Sequence, residues 1–156
     1  MRKREKSGRT YKMGILTFST SAHAESATKT IVKARQFQMI IDEPKALGGA
    51  DAGANPVEYV LAAVSGCLNV VGHVVAAEMG FALKGLTIEA EGALDPARFQ
   101  GTSNAARAGY REIRLTLKPD ADTDQKTLET WRAAIEDRCP VSDNLKNATP
   151  VSIQLG

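Results

Sequence analysis

The sequence of 156 residues predicts an α+β protein in which short strands are grouped before and after one long apolar helix. Three observations support this prediction. The first third is rich in β-branched residues, residues 56–79 are apolar over the length of a helix, and residues 113–117 alternate apolar and polar side chains. The predicted order is three strands, a helix, two strands, a second helix and a last strand.

The three early strands are predicted from short apolar runs. Ile15, Leu16 and Phe18 lie in a run that extends to about residue 21, and residues 28–34 and 37–41 form two more runs. Residues 22–27 are the predicted turn.

A glycine-rich connector, residues 47–56, follows the stop signal Asp42-Glu43-Pro44. Its three glycines invite a phosphate-loop interpretation. No Gly-Lys-Ser/Thr follows, however, and the spacing differs from a dinucleotide fingerprint, so a nucleotide site is disfavoured.

The long helix is predicted over residues 56–79, because Asn55 suits the N-cap, Pro56 suits the first helical position and Gly80 suits the end. Its polar residues argue against a membrane span: Glu58, Ser65, Asn69, His73 and Glu78. The helical wheel separates a bulky face from a small one. The bulky face comprises Val60, Val64, Cys67, Val71, Val74 and Val75, and the small face comprises Ala62, Ser65, Asn69, Gly72 and Ala76. So few strands cannot cover both faces, and a symmetric homodimer is therefore expected.

The second half of the chain repeats the alternation of strand and helix. Residues 83–90 and 113–117 are predicted strands around a polar loop at 92–109, and residues 123–139 are a predicted helix. This helix turns Leu128, Trp131 and Ile135 inward. The alternating Val151, Ile153 and Leu155 are a predicted last strand.

Charge and the N-terminus limit the classes of partner. The formal charge is +2, but residues 1–9 contain five basic residues and one acidic residue, and without them the chain has 15 basic and 17 acidic residues. Residues 1–10 are predicted to be a disordered basic tail, and residues 11–156 a single domain. A body without a basic face gives little support for nucleic-acid binding. No secretory signal is visible, so the cytoplasm is expected.

The two cysteines, Cys67 and Cys139, are expected to be reduced in that compartment. Cys67 and His73 lie about 120° apart on the helix and cannot share a metal from it. Taken alone, Cys67 is best interpreted as an inert core residue, because an apolar setting raises the pKa of a thiol.

The motifs change this interpretation when they are considered together. In order along the chain they are Asp42-Glu43-Pro44 with Leu47-Gly48-Gly49, Asn55-Pro56-Val57-Glu58 continuing to Ser65-Gly66-Cys67, and Arg138-Cys139-Pro140-Val141-Ser142 with Asn144-Leu145. From about residue 37 to the C-terminus the chain resembles the OsmC/Ohr family of osmotically induced and organic-hydroperoxide-resistance proteins.

The resemblance implies an OsmC-like fold, with antiparallel sheets around long central helices in an intertwined homodimer. It also implies reduction of hydroperoxides without metal, flavin or other cofactor, with an external dithiol as reductant. By motif position, Cys67 corresponds to the peroxidatic thiol and Cys139 to the resolving thiol, which are expected to lie within disulfide reach.

The chain departs from the family pattern at two supporting residues. The family's peroxidases use an arginine from the early hairpin and a glutamate ten residues before the first cysteine. Here position 57 is Val, and Glu58, nine residues before Cys67, is the candidate catalytic carboxylate in its place. Arg35 is the preferred substitute for the arginine and Lys29 the alternative. The departure leaves open a second class of function, a non-enzymatic dimer that binds an apolar small molecule or senses oxidation.

Overall fold

The computed structural model describes residues 14–156, and the chain divides after Ala54 into two compact units. The predicted basic tail, residues 1–10, lies outside the described residues. The single domain from residue 11 stays a prediction. The mixed α+β class is confirmed, because two small antiparallel sheets and three α-helices are present in the described part.

The first unit contains an antiparallel sheet of β1 (Ser21–Ala24), β2 (Thr30–Ala34) and β3 (Phe37–Ile41) in that order. The two later strands agree with the sequence. The first does not: the run at residues 15–20 has no regular structure, and β1 lies where a turn was expected. The turn falls instead at residues 25–29, where the backbone N–H groups of Glu25 and Ser26 donate to the carbonyl of Lys29.

The glycine-rich connector is organised around the buried carboxylate of Asp42. It accepts the backbone N–H groups of Glu43, Ala50 and Ala52 at 2.9, 3.0 and 3.1 Å. These bonds, led by that of Ala52, hold the pKa of the Asp42 carboxyl below its usual value, although burial opposes them. A Cβ atom at Gly49 would lie 1.8 Å from the carbonyl oxygen of Glu43. Close packing of the loop backbone therefore explains this glycine without a bound phosphate.

The second unit begins with α1 (Pro56–Met79), which has the predicted bounds. The Asn55 side chain accepts the N–H of Glu58, and the Glu58 carboxylate accepts the N–H of Asn55, forming a capping box. At the other end Gly80 adopts φ 80°, and its N–H donates to the carbonyls of Ala76 and Ala77. Asn55 and Gly80, from which the two ends of the helix were predicted, therefore do cap it.

Two strands and two helices complete this unit. The strands β4 (Leu83–Ala93) and β5 (Glu112–Ala121) pair antiparallel, and α2 (Gln125–Arg138) begins after the N-cap Asp124. A short helix that the sequence analysis did not predict, α3 (Pro140–Lys146), follows directly.

One face of α1 is buried against α2 and the sheet. Its buried residues are Val64, Leu68, Gly72, Val75 and Ala76. The buried face takes residues from both predicted faces, because Gly72 and Ala76 are covered together with Val64 and Val75, while Val74 is 44% exposed. The reason is Trp131, which needs small residues opposite its ring: a Cβ atom at Gly72 would lie 3.1 Å from that ring.

The opposite face of α1 is exposed in this chain. We call it the exposed stripe, and it consists of Ala62, Ala63, Gly66, Asn69, Val70, His73, Val74 and Ala77. By length and composition this helix could cross a bilayer, so the polar residues alone do not exclude a membrane span. The core helix of a soluble protein meets the same criterion.

The predicted last strand is absent from the structure of the chain. Val151, Ile153 and Leu155 are 82%, 92% and 103% exposed, and residues 147–156 have no regular structure. A strand requires a neighbour for its backbone N–H and carbonyl groups. The alternating pattern is present, but no described strand pairs with it.

Candidate active site

The site that the structure supports best is the contact between the two cysteines. Cys67 lies in the middle of α1, is half-buried and packs against the cluster of Val64, Leu68 and Cys139. Cys139 is the junction between α2 and α3, and its side chain is 0% exposed. Both carry free thiols.

The packing of α2 on α1 explains why the cysteines meet. The indole N–H of Trp131 donates to the carbonyl of Gly72 at 2.8 Å. This bond holds α2 against α1, and the end of α2 also packs on α1, where Cys139 contacts Val64 and Leu68. Val64 and Leu68 lie within one turn of Cys67 on the same helix.

The first turn of α3 supplies an N–H group to each sulfur atom. The N–H of Ser142 donates to Sγ of Cys139 at 3.4 Å, and the N–H of Val141 donates to the sulfur of Cys67. Pro140 occupies the first helical position, where its missing N–H leaves nothing unsatisfied. Backbone donors thus partly replace the water that burial removes.

The electrostatics of Cys67 favour the thiol over the thiolate. Burial raises the pKa of Cys67 first of all, the N–H of Val141 lowers it, and the hydrogen bond and charge interaction with Cys139 raise it. No lysine or arginine among residues 14–156 is a cause of the shift. A cation that stabilises the thiolate must come from elsewhere if the thiol is to react rapidly.

Glu58, a predicted site residue, is held at the start of α1. Its carboxylate is engaged in the capping box, with Oε2 2.8 Å from the N atom of Asn55. Nine residues separate it from Cys67, a rise of about 13 Å along an ideal helix. Its observed contact is structural, and a catalytic role stays a prediction.

Arg35, the predicted activator, lies in the first unit at the tip of the β2–β3 hairpin. Its guanidinium is 5.0 Å from the ring centroid of Phe37, and its backbone adopts φ 55°, in the left-handed region that non-glycine residues seldom occupy. Such strain concentrates at functional positions. The alternative, Lys29, forms an ion pair with Glu25 at 2.7 Å. The roles of both cations stay predictions.

Among the described residues, no three His, Cys, Asp or Glu side chains come together in a group that could hold a metal. His73 lies on the exposed stripe, and its Nδ1 is 2.9 Å from the carbonyl oxygen of Asn69. His23, which was expected in a turn, pairs with Ile31 in the first sheet.

A groove of about 430 Å³ in the second unit, which we call the groove beside Cys139, is lined by Val64 and Ser142, and both of these residues contact Cys139. Apolar residues form much of its surface: Val57, Val60, Val64, Ile113, Leu115 and Leu145. Arg107, Arg111 and Lys146 also line it, and the hydroxyl of Tyr110 donates to the carbonyl of Val57 at 2.9 Å. The groove has the composition of a site for a small, mostly apolar molecule.

Comparison with known proteins identifies the class. The family described as OsmC-like protein matches residues 48–154, about two thirds of the chain. The chain therefore belongs to the OsmC-like family, and this confirms the resemblance noted in its sequence. No curated protein matches it.

Solved structures agree with this membership. An OsmC-like protein from Mycoplasma pneumoniae superposes with a TM-score of 0.73 at 17% identity, over 84% of this chain and 88% of the other. An organic hydroperoxide resistance protein OsmC from Legionella pneumophila gives 0.67 at 18%, over 86% and 92%. The organic hydroperoxide resistance protein OhrB of Bacillus subtilis gives 0.57 at 20%, over 84% and 91%. At these identities the similarity shows the fold.

Sequence reasoning found both cysteines but missed α3 and the N–H group of Val141. The signal was present, because a proline directly after Cys139 is typical of a first helical position and a cysteine can cap a helix start. The shortness of α3 concealed it, since seven residues give hardly two turns of periodicity.

The two cysteines should differ sharply in their reaction with iodoacetamide. The native protein should be alkylated at Cys67 alone, because Cys139 is fully buried. The rate should still be rising with pH between pH 7 and about pH 9, since burial raises the pKa of Cys67 and only the thiolate reacts. Mass spectrometry of peptides over a range of pH measures both effects.

The unfolded protein is the control and should be alkylated at both positions. Faster modification of Cys139 than of Cys67, or a rate that does not rise between pH 7 and about pH 9, would contradict this description of the reduced site.

Proposed function

We propose that this protein reduces organic or general hydroperoxides with thiols, through a sulfenic acid on Cys67 and a disulfide between Cys67 and Cys139. The observation that carries the proposal is the contact between the half-buried thiol of Cys67 and the fully buried thiol of Cys139. The first turn of α3 donates a backbone N–H group to each sulfur. Membership of the OsmC-like family supports a role in redox or stress response, and some structural neighbours are named organic hydroperoxide resistance proteins.

The cycle requires three steps. The Cys67 thiolate attacks the O–O bond, and the distal oxygen is transferred to sulfur while the alkoxide takes a proton and leaves as an alcohol. The Cys139 thiol then displaces water from the sulfenic acid and forms the disulfide. An external dithiol reduces this disulfide by thiol–disulfide exchange and is itself oxidised. The exposure of Cys67 suits it to the first step, and the burial of Cys139 restricts it to the second.

A non-enzymatic function is the second candidate, in which an OsmC-like dimer binds an apolar molecule or senses oxidation. The raised pKa of Cys67 favours it, because a thiol that stays protonated at neutral pH is oxidised slowly. The groove beside Cys139 supplies a place for the ligand. Catalytic turnover separates the two candidates, because a sensor or binder consumes at most one peroxide for each protein.

The cellular setting belongs to the same proposal. An external dithiol can regenerate the enzyme only where reducing equivalents are available, which is the condition of the cytoplasm. The expected partners are a hydroperoxide, the dithiol and a second copy of the chain, with no part assigned to nucleic acid or membrane.

Turnover is the direct test of the proposed enzyme. With tert-butyl hydroperoxide and dithiothreitol, the wild-type protein should consume many equivalents of peroxide, and Cys67→Ser should remove this activity. Cys139→Ser should give one rapid turnover and then stop at the sulfenic acid, because the resolving thiol is absent. A peroxide assay with dimedone trapping follows both. Consumption of one equivalent or less by the wild-type protein would favour the binding or sensing function.

Arg35→Asn tests the predicted activator. Asn tolerates the left-handed backbone at this position, so the hairpin should fold without the guanidinium. The rate constant for peroxide at pH 7 should fall at least about tenfold, because one pKa unit changes the thiolate fraction about tenfold. Lys33→Gln removes a neighbouring cation as the control and should leave the rate unchanged. Full activity of Arg35→Asn would move the role to Lys29 or to an arginine of a partner subunit.

A homodimer is proposed from the exposed stripe of α1. Val70→Asp should yield a monomer, because the charge would be buried in the helix contact, and light scattering at micromolar concentration measures this. Val70 is 62% exposed in the single chain, and Phe99→Asp, at a position 78% exposed in the loop before β5, is the matched control. A wild-type protein that is a stable, folded monomer would refute the proposal.

A further inference from the structure

A bidentate ion pair joins the last residue of α2 to the end of α1. Arg138 donates from Nη2 to Oε1 of Glu78 at 3.1 Å and from Nη1 to Oε2. This hydrogen bond and the charge of Arg138 hold the pKa of the Glu78 carboxyl below its usual value. Two parallel bonds between planar groups fix orientation as well as distance.

This ion pair lies next to Cys139 in the sequence. Arg138 is followed directly by Cys139, with no loop between them, and α3 begins at Pro140. The orientation of the last turn of α2 therefore sets the direction in which the Cys139 side chain points. Among the described residues, this is the ion pair that connects α1 and α2. The pair between Arg132 and Glu136 lies within α2.

A second ion pair braces the other side of the junction. Lys146, at the end of α3, binds the carboxylate of Glu136 in α2. It fixes α3 relative to α2 but does not connect either helix to α1. Among the ion pairs of the described residues, the pair of Glu78 and Arg138 therefore joins this junction to α1, in addition to the Trp131–Gly72 hydrogen bond and the apolar packing around Cys139.

We propose that Glu78 and Arg138 are positioning residues that hold Cys139 against Cys67 and thereby stabilise the disulfide relative to the two thiols. This inference rests on the proposed pairing of Cys67 with Cys139. Neither residue touches the reacting atoms in the contacts described.

The physical reason lies in the reduced protein. A junction that is already held beside α1 loses little freedom when the sulfur–sulfur bond forms, whereas a loose junction must be ordered at that step. Holding it therefore raises the effective concentration of one thiol at the other. An ion pair that stabilised the dithiol and the disulfide forms of the protein equally would leave the equilibrium between them unchanged.

The test measures the disulfide equilibrium and does not depend on peroxide. Wild-type protein, Glu78→Gln and Arg138→Gln are equilibrated with mixtures of reduced and oxidised dithiothreitol, and thiols are trapped and counted by mass spectrometry. Each variant should lower the equilibrium constant for the disulfide about threefold, the effect expected of one exposed ion pair. Circular dichroism confirms that each variant is folded.

Two controls make the result specific. Arg132→Gln removes an ion pair of similar exposure within α2 and should leave the equilibrium unchanged. The double variant Glu78→Arg with Arg138→Glu restores an ion pair with the charges exchanged and should restore the wild-type constant.

The outcomes separate this inference from the proposed function. Unchanged constants in both single variants, an equal change in Arg132→Gln, or a double variant that is not restored would each overturn the positioning role. A wild-type protein that forms no disulfide between Cys67 and Cys139 would overturn both proposals. Shifted constants in a protein without peroxide turnover would support the positioning role and overturn only the enzyme.

Discussion

The contact between Gly72 of α1 and Trp131 of α2 is the constraint on which the site depends. The glycine leaves room for the indole ring, and its carbonyl accepts the indole N–H at 2.8 Å. This brings the two helices close enough for Cys139, two turns further along α2, to reach the cluster around Val64. A Cβ atom at position 72 would lie 3.1 Å from the Trp131 ring, so the ring would have to shift and the packing of α2 on α1 would loosen. A residue that touches neither thiol in the described contacts therefore influences how closely they meet.

The same close packing creates an electrostatic conflict at Cys67. Burial that protects a sulfenic acid from side reactions also raises the pKa of the thiol from which it forms. The N–H of Val141 opposes this effect, but burial outweighs it. A rapid peroxidase must therefore add a positive charge, and the strained backbone of Arg35 marks one candidate. Without that charge, the same geometry suits a slow sensor of oxidation.

The sequence predicted the elements whose signals are local. The bounds of α1 follow from Asn55, Pro56 and Gly80, and the capping box confirms the first of these boundaries. The strand at residues 15–20 and the last strand were wrong, because a strand depends on a neighbour that local pattern does not reveal. Both cysteines were found through motif order, whereas helical periodicity could not show that Trp131 would pack on Gly72 and Ala76 while Val74 stays exposed.

The two failed strand predictions and the exposed stripe of α1 share one property. Val70 on the exposed stripe, Phe18 before β1 and Val151, Ile153 and Leu155 at the C-terminus are all apolar and exposed in the single chain. Isolated apolar residues on a surface are ordinary, but a helix face and two segments with strand-like alternation are not isolated. A second copy of the chain packed on the exposed stripe would cover the helix face. The proposed homodimer therefore explains the exposed helix face, whereas neither terminal segment has a partner strand among the described residues.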